Sequence, residues 1–367
     1  NTLKKEYILP KNEFGVLIEN IAMSGFDLKE EVKKTLTEKP CNDHKGRIIE
    51  AFDYEKRRKK VDEEIENRFK YSNKLVKLKR DTKRQMEDKI IEILSMKRHR
   101  RGPKKNIEVN IDDFRERIKA YIEKEERIHL VLPSFPVKCY NPLKVRRKAP
   151  DLAELQCIIK MYELCKDIEY IYPKGAKVTL IADGLVYHSI FEEPIKIAEA
   201  YRDKSIELIK AMGLEDYINM IDMQWLIDER REEYDETTKA SRRLIKQAWE
   251  KNPHESHRLA LINATKGNIN LTMYHESALR ALFFKEKTNL LNSDHLNNMK
   301  QDIQERAEKA ALTYATFLQT INTMDLVLES IPGAIRLTCH VKPGQIGMHM
   351  IQANCTLNFP WSGVGVM

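Results

Sequence analysis

Several side chains stand where short apolar runs give way to polar sequence, and their types suit one chemistry. Lys138 follows the run 130–137, Asp183 follows Lys177–Ala182, Asp222 follows 217–221, and His340 closes 334–340. Arg336 precedes His340 by four residues, an even spacing that puts both on one face of an extended strand. A carboxylate and an imidazole can move protons near neutral pH. Lysine and arginine hold phosphate or carboxylate through charge-assisted hydrogen bonds. The set predicts a pocket for a small anionic molecule, phosphorylated or carboxylated. Lys144 and Arg243 could add further cations, although Arg243 sits in a Ser-Arg-Arg context on a predicted helix face. Each residue also has a plainer role: Lys138 a surface lysine, Asp183 a turn former before Gly184, His340 a core histidine, Arg336 a structural ion-pair partner.

These residues need elements to place them. Lys177–Ala182 is an apolar, β-branched run that reads as a strand, ending in a tight turn at Asp183-Gly184. The runs 130–137, 217–223, 334–341 and 347–351 read likewise. Asp151 and Glu154 have capping-box spacing, which predicts a helix from about Leu152 to Ile171. Asn110 is a candidate cap for a helix to about Glu126, with acids in its first turn. Pro194 suits a first helical turn and Gly213 a helix end. Helical patterns fill 224–251, 274–292 and 298–330. Strands alternating with helices predict an α/β, Rossmann-like architecture, a largely parallel sheet flanked by helices. In such sheets ligands bind beyond the carboxyl ends of the strands, where the polar residues above fall.

Of 367 residues, 33% are charged and 42% apolar, and mean hydropathy is -0.56. No run of 18 apolar residues exists, so no spanning helix and no membrane partner is expected. The net charge of +8 is lopsided: residues 56–105 hold 20 Lys/Arg against 8 Asp/Glu, leaving the remainder acidic. With Val61, Ile65, Phe69, Leu75, Met86, Ile90 and Leu94 near helical spacing, this stretch predicts basic amphipathic helices stopping near Arg101-Gly102-Pro103. It divides the chain into a basic helical segment, 1–110, and an α/β catalytic domain, 111–367. A basic helix face could bind nucleic acid or an acidic partner, but aromatics are nearly absent from it, so a solvated face is the expectation. Six cysteines without C-x-x-C or zinc spacing read as reduced thiols of a cytoplasmic protein. His254 and His257 lack the H-E-x-x-H arrangement, and phosphate-loop and serine-hydrolase motifs are also missing. No secretory leader is expected from the first residues.

Five ordered blocks carry a resemblance. Leu132-Pro133-Ser134-Phe135-Pro136-Val137-Lys138, with Asn141 and Lys144, is followed by Ala149-Pro150-Asp151-Leu152-Ala153-Glu154-Leu155. Then come Tyr172 to Tyr187, Ile335-Arg336-Leu337-Thr338-Cys339-His340, and Phe359-Pro360-Trp361-Ser362-Gly363-Val364. Together they resemble the pyoverdine/dityrosine biosynthesis family of isocyanide (isonitrile) synthases over residues 130–364. Departures from its pattern are Leu185 for an arginine, Ala182 for a serine, Ala153 for a glycine, and Ser362 for a histidine.

The resemblance implies an enzyme that condenses the amine of an aromatic amino acid, tyrosine or tryptophan, with the C2 ketone of ribulose 5-phosphate. That carbon becomes the isonitrile carbon. A fungal branch is associated instead with an N-formyl amino acid. No metal or organic cofactor is implied, and the expected partners are small molecules. Lys138, Asp183 and His340 become the candidate catalytic residues, with Lys138 either a transient Schiff base or a phosphate ligand. Arg336, Lys144, Asn141, Arg243, Glu154, Tyr187 and Trp361 become candidate substrate contacts.

Overall fold

The computed structural model describes residues 70–138, 148–190, 193–263, 293–339 and 343–350, together with positions 67 and 265. Five strands form one sheet: β1 Ile128–Ser134, β2 Ala176–Ala182, β3 Ile218–Asp222, β4 Ile335–Thr338 and β5 Ile346–Gly347. All neighbours are parallel and the order is β3-β2-β1-β4-β5. This is the predicted α/β, Rossmann-like arrangement. The order reverses between β1 and β4, the switch point at which open α/β sheets form their ligand crevice.

Helices cover both faces, which is why β1 and β2 are apolar nearly throughout. The flanking helices are α1 Met86–Ser95, α2 Ile111–Glu123, α3 Leu152–Ile171, α4 Ile195–Ala211, α5 Met223–Glu229, α6 Arg231–Lys251, α7 Ser293–Thr323 and α8 Leu326–Ser330. Strand alternation sorts the core into two layers. Ile128, Leu130, Leu132, Val178, Leu180, Ile335 and Leu337 pack with residues of α1–α4. On the other face Val131, Ile181 and Ala334 pack with α5, α7 and α8.

Helix α3 starts where its cap requires. Asp151 accepts from the Ala153 amide at 2.9 Å, and Glu154 Oε2 accepts from the Asp151 amide at 2.7 Å. Pro194 occupies the N-cap of α4, and Gly213 beyond its end has φ +64°. Several boundaries differ from expectation. β1 ends at Ser134 and includes Pro133, which costs no bond to β4 because that pairing stops at Val131. The pattern 224–251 breaks at Arg230, and 298–330 breaks at Asp325, whose φ is +42°. Asn110 does not cap α2; its Nδ2 donates instead to Gly344 O at 3.0 Å. The pattern over 274–292 and most of 56–69 lie outside the described residues.

The described part of the basic segment joins the same core. Leu75, Ile90 and Leu94 are fully buried against the residues of α2 and α3. A buried polar cluster ties the joint: Asp167 Oδ2 accepts from Tyr71 Oη at 2.5 Å and lies 2.7 Å from His99 Nε2, while Arg98 pairs with Glu163 at 2.9 Å. Burial holds the His99 imidazole below its usual range, with Asp167 opposing. Some of the basic charge is thus engaged internally, Lys74 with Glu92 included.

Candidate active site

Asp183 follows β2 at the carboxyl rim. It occupies the N-cap position of the helical turn Gly184–Tyr187, yet its side chain makes no cap bond. Part of the residue surface is accessible, but Oδ1 is enclosed and has no hydrogen-bond partner among the described residues. A buried carboxyl oxygen left without a partner costs roughly 1–3 kcal/mol, so such a group calls for an explanation. Burial pushes this carboxyl well above the usual carboxylate range, and the nearby charge of Asp222 pushes the same way. Burial thus favours the protonated form of Asp183.

Aromatic rings stand beside it. Tyr187 lies 5.3 Å from Tyr314 and 5.1 Å, edge to face, from Phe317. Burial raises both phenols, Tyr314 to about 12, with the charge of Asp183 adding to each. Cys339, after β4, is a buried free thiol raised to about 11 by burial and then by Asp183, against Arg101. Asp222 is already engaged: Oδ1 accepts from the Gln224 amide at 3.0 Å and Oδ2 from Arg202 at 3.0 Å.

Gly184 holds this rim together by close approach. The sequence predicts a tight turn here, whereas the structure starts a helical turn with no left-handed φ at glycine. A Cβ at Gly184 would lie 1.7 Å from the carbonyl oxygen of Pro136. Gly184→Ala must therefore separate the β1 and β2 ends. Expected is a loss of about 3 kcal/mol, at the upper end for overpacking, read as a lowered urea midpoint at unchanged slope.

Beyond β1 the chain turns through Phe135, φ +61°, and buries Lys138 to 2% exposure. Its Nζ lies 2.7 Å from Glu154 Oε2 and 2.8 Å from Asp151 Oδ2. Tyr201 of α4 donates to Glu154 Oε1 at 2.8 Å. Glu154 is completely buried, and desolvation raises it to about 8 against the opposing pull of Lys138. Lys138 is thus neither a surface lysine nor an open cation; both neighbouring carboxylates hold it against the start of α3. Glu154 caps the helix, closes the lysine pair and accepts from a tyrosine.

The structure does not gather the predicted cations at one rim. Arg336 stands opposite Val131, two residues short of the end of β4, half-buried on the α5/α7 face. Burial lowers it while Asp325 opposes. Lys138 is held toward α3 and α4 instead. Arg243 is exposed on α6. Asp183 and Tyr187 do come together. His340, Asn141, Lys144 and Trp361 lie outside the described residues. Sequence reasoning missed Tyr314, Phe317 and Tyr201, isolated aromatic residues on long helices that carry no local mark of a site, and Cys339 after β4. The only available signal for Cys339 was its place beside His340. A cleft of about 760 Å³ lies elsewhere, at the amino ends of the strands, lined by residues including Arg117, Tyr121, His129 and Lys177. It lies at the opposite end of the sheet from the switch-point rim, where the enclosed acid and the neighbouring aromatic rings stand.

Known proteins match this chain in the same region. The family described as pyoverdine/dityrosine biosynthesis protein matches residues 118–367. The chain is 28% identical over 253 residues to an L-tyrosine isonitrile synthase of Pseudomonas aeruginosa, covering 68% of this chain and 73% of that protein. It is 27% identical over 256 residues to an L-tryptophan isonitrile synthase of Fischerella ambigua, covering 67% and 72%. The crystal structure of the PvcA protein from Pseudomonas aeruginosa superposes with a TM-score of 0.51 at 25% identity, over 76% of this chain and 87% of that one.

Proposed function

Because the chain belongs to the pyoverdine/dityrosine biosynthesis protein family, we propose that it is an isonitrile synthase joining the amine of tyrosine or tryptophan to C2 of ribulose 5-phosphate. The observation that carries the reading is the enclosed Oδ1 of Asp183, without a hydrogen-bond partner among the described residues, beside Tyr187, Tyr314 and Phe317 at the carboxyl rim of the sheet. Aromatic rings there suit an aromatic amino acid, by offset or edge contacts.

Condensation adds the free amine to the ketone and then expels water to leave a C=N bond. The carbonyl oxygen needs a proton as it leaves, and the attacking ammonium must first lose one. A carboxylic acid kept neutral by burial is suited to donate to that oxygen. We assign this to Asp183, and to His340 the removal of a proton from the ammonium. Arg336 is the candidate ligand for a phosphate or carboxylate. Lys138, with Asp151, Glu154 and Tyr201, fixes residues 135–138 after β1 against the start of α3. We place the enzyme in the cytoplasm with small-molecule partners; among the described residues no helix is long and apolar enough to cross a membrane.

The test incubates the full chain with ribulose 5-phosphate, carbon-13 labelled at C2, and either amino acid. Expected is an isocyano amino acid carrying the label, identified by mass. An N-formyl product would assign the dityrosine-type reaction instead. No labelled product with either amino acid would overturn the reading.

A further inference from the structure

Residues 96–110 precede the family match and strap the edge of the sheet beside β5. Arg100 bridges Met348 in antiparallel fashion. The Arg101 amide donates to Gly347 O at 2.8 Å, and the His349 amide to His99 O at 2.7 Å. Further along, the Gly344 amide donates to Asn106 O at 2.8 Å. Contact is closest at Gly347, where a Cβ would lie 2.7 Å from the Arg101 carbonyl oxygen. The strap is itself anchored, since the His99 side chain is locked by Asp167 and Tyr71 in the buried cluster described above.

From this fixed backbone the Arg101 guanidinium reaches inward. Nη1 donates to the carbonyl oxygen of Cys339 at 2.7 Å. Cys339 directly follows β4, on one side of the switch point, and is followed in the sequence by His340. The segment thus binds the β4–β5 connection through β5 and also grips the carboxyl end of β4. A rigid planar guanidinium fixes a carbonyl in direction as well as distance, which an ammonium on a flexible stem does not.

Taking the carboxyl rim as the catalytic centre, as proposed above, we infer that Arg101 is a positioning residue that sets the carboxyl end of β4, at Cys339, against Asp183. The segment ahead of the family match is then part of the working enzyme.

The test uses the full chain with Arg101→Met, which keeps an apolar stem without the donors, and Arg101→Lys. Steady-state constants are measured alongside alkylation of Cys339, followed by mass spectrometry with Cys157 and Cys165 as internal references. Expected for Arg101→Met is a kcat lowered about a hundredfold, the cost of a misplacement near 1 Å, with KM for the amino acid nearly unchanged. Added guanidinium should restore part of kcat, and Arg101→Lys should recover little. Cys339 should be alkylated about tenfold faster while Cys157 and Cys165 stay protected, as for an opening confined to the end of β4. Full kcat in Arg101→Met, or the three thiols opening together, would overturn the inference. Should the wild-type chain make no isonitrile, the functional reading fails, and thiol labelling decides the strap alone, unchanged Cys339 labelling counting against it. Should Arg101→Met not fold, Gly347→Ala presses on the strap from the other side. It must expose Cys339 selectively, and failure to do so is again decisive.

Discussion

Asp183→Asn lowers kcat by roughly 10²–10⁴, the usual worth of a positioned proton-transfer group. The amide keeps the shape and cannot deliver the proton. Two further readouts separate catalysis from structure. In the wild-type chain, activity is high while Asp183 is neutral and falls as pH rises through its raised pKa; the variant loses that limb. Stability falls over the same pH range. A carboxyl whose folded pKa lies above its unfolded value contributes stability that is present below the unfolded pKa and lost as pH rises through the folded one. Asparagine carries no such ionisation, so at alkaline pH the variant unfolds at a urea concentration no lower than the wild type. A variant that keeps full activity, or loses it only through unfolding, removes Asp183 from the chemistry.

Lys138→Met has the largest expected effect on stability. It leaves Glu154 completely buried with the Tyr201 hydroxyl and the Asp151 amide but no cation. Removing one partner of a buried ion pair costs about 3–5 kcal/mol. The sign of the pH dependence follows from Glu154, whose carboxyl is raised to about 8. Its neutral form is favoured in the fold, so stability falls as pH rises from the unfolded carboxylate range through about 8. Without Lys138 the raised pKa climbs further, and the loss widens on the alkaline side. Replacing both partners, Lys138→Met with Glu154→Gln, recovers most of it, because no charge is left buried alone. Urea midpoints for the two single variants and the double, at neutral and alkaline pH, give the coupling directly. Additive losses in that cycle would show that the 2.7 Å contact contributes little.

Local features of the chain were legible because local physics determines them. The Asp151–Glu154 spacing marked the start of α3 because the cap is an exchange between residues three apart. The apolar run 177–182 marked β2 because a strand covered on both faces must be apolar on both. Pro194 and Gly213 bounded α4 for conformational reasons. The five blocks placed the family, and one of them holds Asp183 and Tyr187, which the fold brings close together. The breaks at Arg230 and Asp325 have no glycine or proline to announce them; packing over the sheet imposes them.

Charge placement is what the sequence by itself could not determine. Lys138 reads in the chain as a cation ready for phosphate, and only the fold shows the Asp151 and Glu154 carboxylates 2.8 and 2.7 Å away. Gly184 reads as a turn glycine, and only the fold brings Pro136 O against it. Arg101 lies 238 residues from the carbonyl it holds. Sequence determines which groups exist and which faces are apolar, since those depend on near neighbours. Which charges are neutralised, and which carboxyl oxygen is enclosed without a partner among the described residues, depends on contacts between distant segments, and the tertiary structure alone decides them.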